Sequence, residues 1–387
     1  MLTAAVRSYE RQIVDLTRRL VAIPSESPPG RHYRECADVL ADAMREIGLS
    51  PRITETHCVQ ASTAESGRCL YLHGHYDVVP AQDPAQFDPV LRDGRIHGRG
   101  SADMKGGLAA MLYAIAAVRD AGIELDGRVG LNFVPDEETG GATGSRRLAE
   151  DGLLAPDAIG MITAEPTGGV VWNANRGAIS LALTVHGREA HVGLSYAGVN
   201  AFERMLDVAA ALRALGAELA QRRTAYTIDP PEAAASILLV GGRSGSGSGF
   251  NVVPGRATFT VDRRPNPEES LATEKRRLLD TLAAFDFPID VEVLQEGDAA
   301  GSSEDGPLAR ALAASIAEVE GAPPRFELCP GLLETRWYAR EGIPAYAYGP
   351  GRLDLAHGPD EHVEVEALMR AALVYARTIE RRLYRSA

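Results

Sequence analysis

The chain has 387 residues, of which 45% are hydrophobic and 24% charged. That composition excludes a disordered chain, and the length suits two domains, or one large domain with an insertion. The formal net charge of −13 argues against a nucleic-acid partner, which needs a basic face, and against docking on an anionic membrane.

No run approaches the ~18 apolar residues of a membrane span, and the charged N-terminus lacks the apolar core of a signal peptide. Cys36, Cys58, Cys69 and Cys329 are scattered without a CxxC pair. The expectation is a cytoplasmic protein with buried thiols rather than a disulfide framework or a zinc ribbon. Lys105 and Lys275 are the only lysines, which reads as the codon bias of a GC-rich genome.

Residues 4–22 carry Val6, Ile13, Leu16, Leu20 and Val21 at helical spacing and predict one amphipathic helix, ended by SESPPG. A second helix is expected from Cys36 to Ile47. Short apolar runs follow: CLYLH ending at His73, RVGLNFV ending at Val134, AIGMIT ending at Thr163, and AYAY ending at Tyr348. They read as buried strands of a mostly parallel sheet. GGLAAMLYAIAAVRDAG between the first two supplies a helix, and strand–helix–strand is the βαβ signature.

The texture changes near Ala178. Alternating strands (ISLALTVHG, ASILLVGG, RATFTVDRR) and two amphipathic helices describe a separate α+β unit over 179–293, with GRSGSGSG as a flexible turn. The fold class expected is α/β: a mixed, mostly parallel sheet sandwiched by helices over 1–178 and 294–387, interrupted by the smaller unit.

Polar residues cluster where the strands end. His75 and Asp77 follow the first strand, and Asp103 lies in GRGSADMKGG. Glu137 and Glu138 follow the next strand, Glu165 the third, and His357 comes after AYAY. In an open parallel sheet, ligands bind beyond the carboxyl ends of the strands. So many acids in one crevice repel unless cations neutralise them. Mixed imidazole and carboxylate donors suit zinc, or cobalt or manganese, rather than calcium. The count suggests two divalent ions: one held by His75, Asp103 and Glu165, the other by Asp103, Glu138 and His357, with Asp103 bridging. Asp77, two residues past His75 on an extended chain, can orient the free ring nitrogen of that histidine. Glu137 precedes a ligand and is free to act as the general base toward water. His32, His57, His97, His186 and His362 are read as structural or solvent-exposed. A phosphate loop, a GxSxG serine hydrolase and an HExxH protease have no support in this text.

HGHYDVVP, GRGSADMKGG, PDEETGG, TAEPT and AHGPDEHV, in that order, resemble the motif series of the M20 family of co-catalytic metallohydrolases, which includes deacetylases, desuccinylases, aminoacylases and carboxypeptidases. The resemblance spans nearly the whole chain. It implies the same roles for the seven residues above, and a cis peptide after Asp103. It also implies that the inserted unit is a lid that mediates homodimerisation. GREAHVGLSYAGVNAFE is similar to the stretch whose histidine, here His191, stabilises the oxyanion, often from the partner subunit. FNVVPGRATFTVDRRPNP resembles the stretch in which Asn251 and an arginine bind the substrate carboxylate, and spacing to the following proline favours Arg264 over Arg263. Gly349 and Gly351 resemble a backbone loop that contacts substrate. One segment departs: many members carry Gly-x-x-Asp before the last strand, where this chain has CPGLLETRWYAREGIP with Glu334, Thr335 and Arg336.

The function expected is hydrolysis of the amide bond of an N-acyl amino acid. The alternatives are a dipeptidase or carboxypeptidase of the same family, a hydrolase of another C–N bond, or a binding protein without turnover. Glu137 argues for catalysis, because a binder has no need of it.

Overall fold

Every residue of the strand Cys69–His75 is buried, which identifies it as a central strand covered on both faces. A computed structural model describes residues 1–385 of the chain. It divides into two compact units. The larger comprises Met1–Asn173, Gly301–Glu327 and the chain from Glu334 on. Its sheet runs in the order Arg52–Ile53, Val59–Ser62, Arg128–Val134, Cys69–His75, Ala158–Thr163, Ala345–Ala347, Val171–Asn175. The middle is parallel: Cys69–His75 lies between Arg128–Val134 and Ala158–Thr163, and Ala345–Ala347 is parallel to the last of these. The flanking pairs are antiparallel. The fold is mixed α/β with a mostly parallel central sheet.

The helix Gly106–Asp120 is apolar around its whole circumference and buried from Gly106 to Val118, as a helix enclosed on all sides must be. The C-terminal helix Val365–Leu383 and Glu10–Val21 pack on it. Glu10–Val21 turns Ile13, Leu16 and Leu20 inward and leaves Arg11, Arg18 and Arg19 outside. The single N-terminal helix expected over 4–22 is two helices, Leu2–Ser8 and Glu10–Val21. Tyr9 breaks it. Its hydroxyl donates to Asp120, and its ring stacks on Tyr113 at 5.3 Å between centroids. A tertiary anchor has overridden the local period. Lys105 is fully buried, and its ammonium donates to the Leu20 and Ile23 carbonyls at 2.8 Å each. This ties the end of that helix to the start of Gly106–Asp120.

The smaller unit comprises Ala174–Ala300 and Leu328–Leu333. Its antiparallel sheet has the order Ile237–Ser246, Arg256–Arg264, Ala178–His186, Ile289–Gly297. The two central strands alternate buried and half-buried residues, so one face meets a core and the other does not. Leu181, Leu183, Val185, Phe259 and Val261 pack with Val208, Leu212, Leu278 and Leu282 from the helices Ala201–Leu219 and Leu271–Ala283. Asn200 caps the first helix by accepting the Phe202 N–H at 3.0 Å, and Ser270 caps the second through Thr273.

The unit is wider than the sequence suggested. Its last strand is an edge strand whose Asp290, Glu292 and Glu296 hide any apolar run. Leu328 returns to it by packing with Ala174 and Ile228. The glycine–serine turn is also shorter than expected. Ser244, Gly245 and Ser246 pair with Phe259, Thr258 and Ala257, after an irregularity between Val240 and Ser244 absorbs the extra residues. No helix among the described residues is long and apolar enough to cross a membrane.

Candidate metal centre

Three parallel strands in register bring their following loops together. His75 closes one strand opposite Val134, the last residue of the next, so His75 and the loop bearing Glu137 and Glu138 emerge side by side. Glu165 follows the third strand, Ala158–Thr163. Asp103 comes from Ser101–Lys105, which leads into the buried helix. The five residues expected to hold metal meet around Asp103. One carboxylate oxygen of Asp103 is 3.2 Å from His75 Nε2, and the other is 3.2 Å from His357 Nε2. His75 Nε2 lies 4.0 Å from Glu165 Oε2, and His357 Nε2 lies 3.2 Å from Glu138 Oε1. Potential ligand atoms of His75, Asp103 and Glu138 fall within 4.8 Å of one another. His357 is the open side of the cluster, with its side chain 48% exposed against 1% for His75. Its φ of +62° is uncommon outside glycine.

A second layer fixes these side chains. The Nδ1–H of His75 donates to the Asp77 carbonyl at 3.0 Å, and the Asp77 carboxylate lies 3.3 Å away. That leaves Nε2 to face the cluster. Asp77 does more than expected: its two carboxylate oxygens accept the N–H groups of Glu137 and Glu138, each at 3.1 Å. The peptide between Asp103 and Met104 is cis.

Two further residues went unnoticed in the sequence. Glu361 Oε1 accepts the N–H groups of Ala102 and Asp103 at 3.1 and 3.2 Å. Its other oxygen takes Arg99 at 2.6 Å, and Arg99 also donates to the His357 carbonyl at 3.0 Å. One buried ion pair thus holds both a central and a peripheral candidate ligand. The signal was present, since Arg99 and Glu361 both lie inside the quoted motifs.

The charges are badly matched without a cation. Burial and neighbouring acids push Glu137 well above the usual carboxylate range and raise Glu138, and burial lifts Glu165 to about 8. Burial also works against an ionised Asp103, but hydrogen bonds from His357 and His75 outweigh it and lower its pKa. Those bonds raise His357 to about 10 and, against the cost of burial, lift His75 well above its ordinary value. The imidazoles therefore take up protons to supply positive charge that a metal would bring. Among the described residues, Glu165 Oε1 is buried without a hydrogen-bond partner, and Glu138 Oε1 has only the His357 imidazole beside it. Buried carboxylate oxygens beside imidazole nitrogens are the donor set that a zinc-like divalent ion takes, so the residues present fit the metal.

The other expected site residues divide between the units. Gly349 and Gly351 are buried in the larger one. A Cβ on Gly349 would strike the Ala164 and Glu165 carbonyls, and one on Gly351 the Ala102 carbonyl, so both let the backbone approach the segments bearing Glu165 and Asp103. In the smaller unit, His191 and Asn251 come to one ribbon, where Ala190–His191 pairs with Val252–Val253. Both are exposed. The Gly193 N–H donates to His191 Nδ1 at 3.1 Å, and the Val192 N–H to the Asn251 carbonyl at 2.9 Å. Arg263 and Arg264 face opposite ways, as neighbours on a strand must. Arg263 is fully buried between Glu269 and Glu274, at 2.8 Å from each. Arg264 is half-buried and forks onto Asp262 at 2.6 and 3.0 Å.

Residues 71–381 match the family described as peptidase family M20/M25/M40. A succinyl-diaminopimelate desuccinylase of Gluconacetobacter diazotrophicus is 30% identical over 405 residues, covering 98% of this chain and 99% of that protein. The fold is shared with an M20 family metallo-carboxypeptidase from Sulfolobus solfataricus (TM-score 0.77, 20% identity, 95% of this chain and 98% of that one). It is shared also with human carnosine dipeptidase 1 (TM-score 0.76, 16% identity, 98% of each chain). With a match across most of its length, the chain belongs to the M20/M25/M40 peptidase family and is a metal-dependent amidohydrolase.

Proposed function

We propose that the protein hydrolyses the amide bond of an N-acyl amino acid. The observation that carries this reading is the Asp103 carboxylate 3.2 Å from each of two imidazoles, beside a loop whose Glu137 N–H is tied to Asp77. Two divalent ions fit, one among His75, Asp103 and Glu165 and the other among Asp103, Glu138 and His357. Zinc is favoured by the donor set, with cobalt or manganese as alternatives. When bound, such ions supply Lewis acidity toward the amide carbonyl and toward the attacking water.

The protein's own residues do the rest. Glu137, whose surroundings raise its affinity for a proton, takes one from the attacking water and returns it to the leaving amine. Asp77 holds His75 in the tautomer that turns Nε2 inward. The smaller unit serves as a lid, with His191 donating to the oxyanion and Asn251 and Arg264 binding the substrate carboxylate. In that role the Arg264 guanidinium would exchange or share its present fork onto Asp262 with the substrate carboxylate. The loop at Gly349 and Gly351 borders the substrate.

The desuccinylase relative supports an acyl amino acid as substrate, and a short peptide is the second reading. Phe202, Leu206, Ile237 and Leu239, all exposed on the smaller unit, support homodimerisation through it; a monomer mass in sedimentation velocity would count against this. The four free, buried cysteines fit the cytoplasm.

A hydrolysis panel of N-acetyl, N-succinyl, N-formyl and dipeptide substrates with added zinc, cobalt or manganese tests the class. Glu137→Ala should keep its metal and lose about 100- to 10,000-fold in kcat. Unchanged turnover in that variant removes the general-base assignment.

A further inference from the structure

The loop Asp136–Ser145 carries both the proposed base and a proposed metal ligand, and Asp77 holds only its first residues. Its far end is gripped by a buried chain of polar side chains that the reading above does not use. Asn132 Nδ2 donates to the Tyr338 hydroxyl at 2.8 Å, and that hydroxyl meets His73 Nδ1 at 3.1 Å. His73 Nε2 donates to Glu334 Oε2 at 3.0 Å, and the Ser145 hydroxyl donates to the same oxygen. The acceptor is a carboxylate, which fixes the proton on Nε2 and leaves Nδ1 to accept from tyrosine. Glu334 Oε1 stands against Gly141, where a Cβ would strike it. Two residues on, Arg336 Nη2 donates to the Gly140 carbonyl at 2.8 Å.

Glu334 is 1% exposed. A buried carboxylate is costly unless it is paired. Here both donors, His73 and Ser145, go to Oε2, and Oε1 is buried against Gly141 without a hydrogen-bond partner. Burial pushes Glu334 up, but the bond from His73 and the charge of Arg336 outweigh it and keep it below the usual carboxylate range. His73 lies two residues before His75 on one fully buried strand, so both side chains leave the same face. One strand therefore governs both ends of the acidic loop. His75 reaches its start through Asp77, and His73 reaches its end through Glu334.

We propose that Glu334, held by His73 and Ser145, is a positioning residue that fixes the Asp136–Ser145 loop and so sets where Glu137 stands against the substrate. The proposal rests on the reading of Glu137 as the base. It also gives the departing segment around Glu334 a role. The longer acid is the clasp of this loop.

The test uses the zinc-loaded full chain and the best substrate from an N-acetyl, N-succinyl and dipeptide panel. Glu334→Gln keeps the shape and removes the charge. It should lower kcat at least about tenfold with KM within about twofold and zinc content unchanged. Amide hydrogen exchange should rise in the peptide covering 136–145 and not elsewhere. His73→Gln, which retains a donor for the carboxylate, should lose markedly less than His73→Leu. His73→Leu combined with Glu334→Gln should be no worse than the poorer single variant. Should Glu334→Gln fail to fold, Ser145→Ala removes one bond and no charge and should cost about threefold or more in kcat.

A kcat within twofold of the parent in the folded Glu334 variant overturns the proposal. So does a loss that tracks zinc content or KM. Glu137→Ala measured alongside separates the two ideas: full activity there removes the base, whereas an inactive Glu137→Ala beside an active Glu334→Gln removes only the clasp.

Discussion

Asp103 shows how much one side chain depends on groups that never touch a ligand. Its two oxygens face two imidazoles, and its own backbone N–H is claimed by Glu361. Replacing Glu361 by Gln keeps an acceptor toward Ala102 and Asp103 but leaves the buried Arg99 guanidinium without its counter-charge. Groups that orient ligands in this way typically govern about 10- to 100-fold in metal affinity, and Glu361→Gln should fall in that range in a competitive chelator titration. Unchanged affinity would show that Asp103 holds its place without help. At this scale the sequence pointed to the candidate ligands and to Asp77, and assigned no role to the other residues that hold them. Histidines and acids at strand ends declare themselves by type and place. Arg99, Glu361 and His73 are equally buried but look like ordinary polar residues, and only three-dimensional contact shows what they hold.

The elements place these residues because backbones approach closely. Gly107, in the first turn of the buried helix, lies so near the strand end bearing Glu165 that a Cβ would meet Ala164 at 2.5 Å from its Cβ and 2.9 Å from its carbonyl oxygen. Neither partner is a flexible side-chain tip, so something must move. Gly107→Ala should cost about 1–3 kcal/mol, as overpacking does, despite the better helix propensity of alanine. Urea unfolding measures it, and a neutral or stabilising result would mean that the helix slides freely. The periods of strands and helices were readable because burial on both faces leaves continuous apolar runs. The break at Tyr9 was not, because a stacking partner and an acid more than a hundred residues away decide it. Nor was the edge strand Ile289–Gly297, whose charged outer face conceals its pairing.

Across the molecule, the mismatch of charge in the larger unit becomes a dependence of stability on pH. In metal-free protein Glu165 titrates at about 8 rather than 4.5, so between those values the folded chain holds a proton that the unfolded chain has lost, and stability falls as pH rises. Raised Glu137 and Glu138 act in the same sense. His357, raised from 6.5 to about 10, contributes stability that is complete below the lower value and lost as pH climbs through the higher. Asp103, held low, adds stability that disappears only in strong acid. The chelated protein should therefore melt at steadily lower temperature from pH 5 to pH 9 (roughly the window these shifts define), and zinc should raise the midpoint most at the alkaline end. A flat profile would place the acids further apart than the geometry does. The inserted unit was legible as a whole from its change to alternating strands. The return of Leu328–Leu333 to it was not, because six residues carry too little pattern.

The two lysines have very different fates. Lys105 is sealed inside, with its ammonium spent on two carbonyls, while Lys275 keeps 31% of its side chain in solvent beside Glu296. An amine-reactive dye or surface coupling would thus find one lysine side chain in the native fold, in the smaller unit, besides any free N-terminal amine. A fluorophore could be attached there at a single side chain without introducing a cysteine.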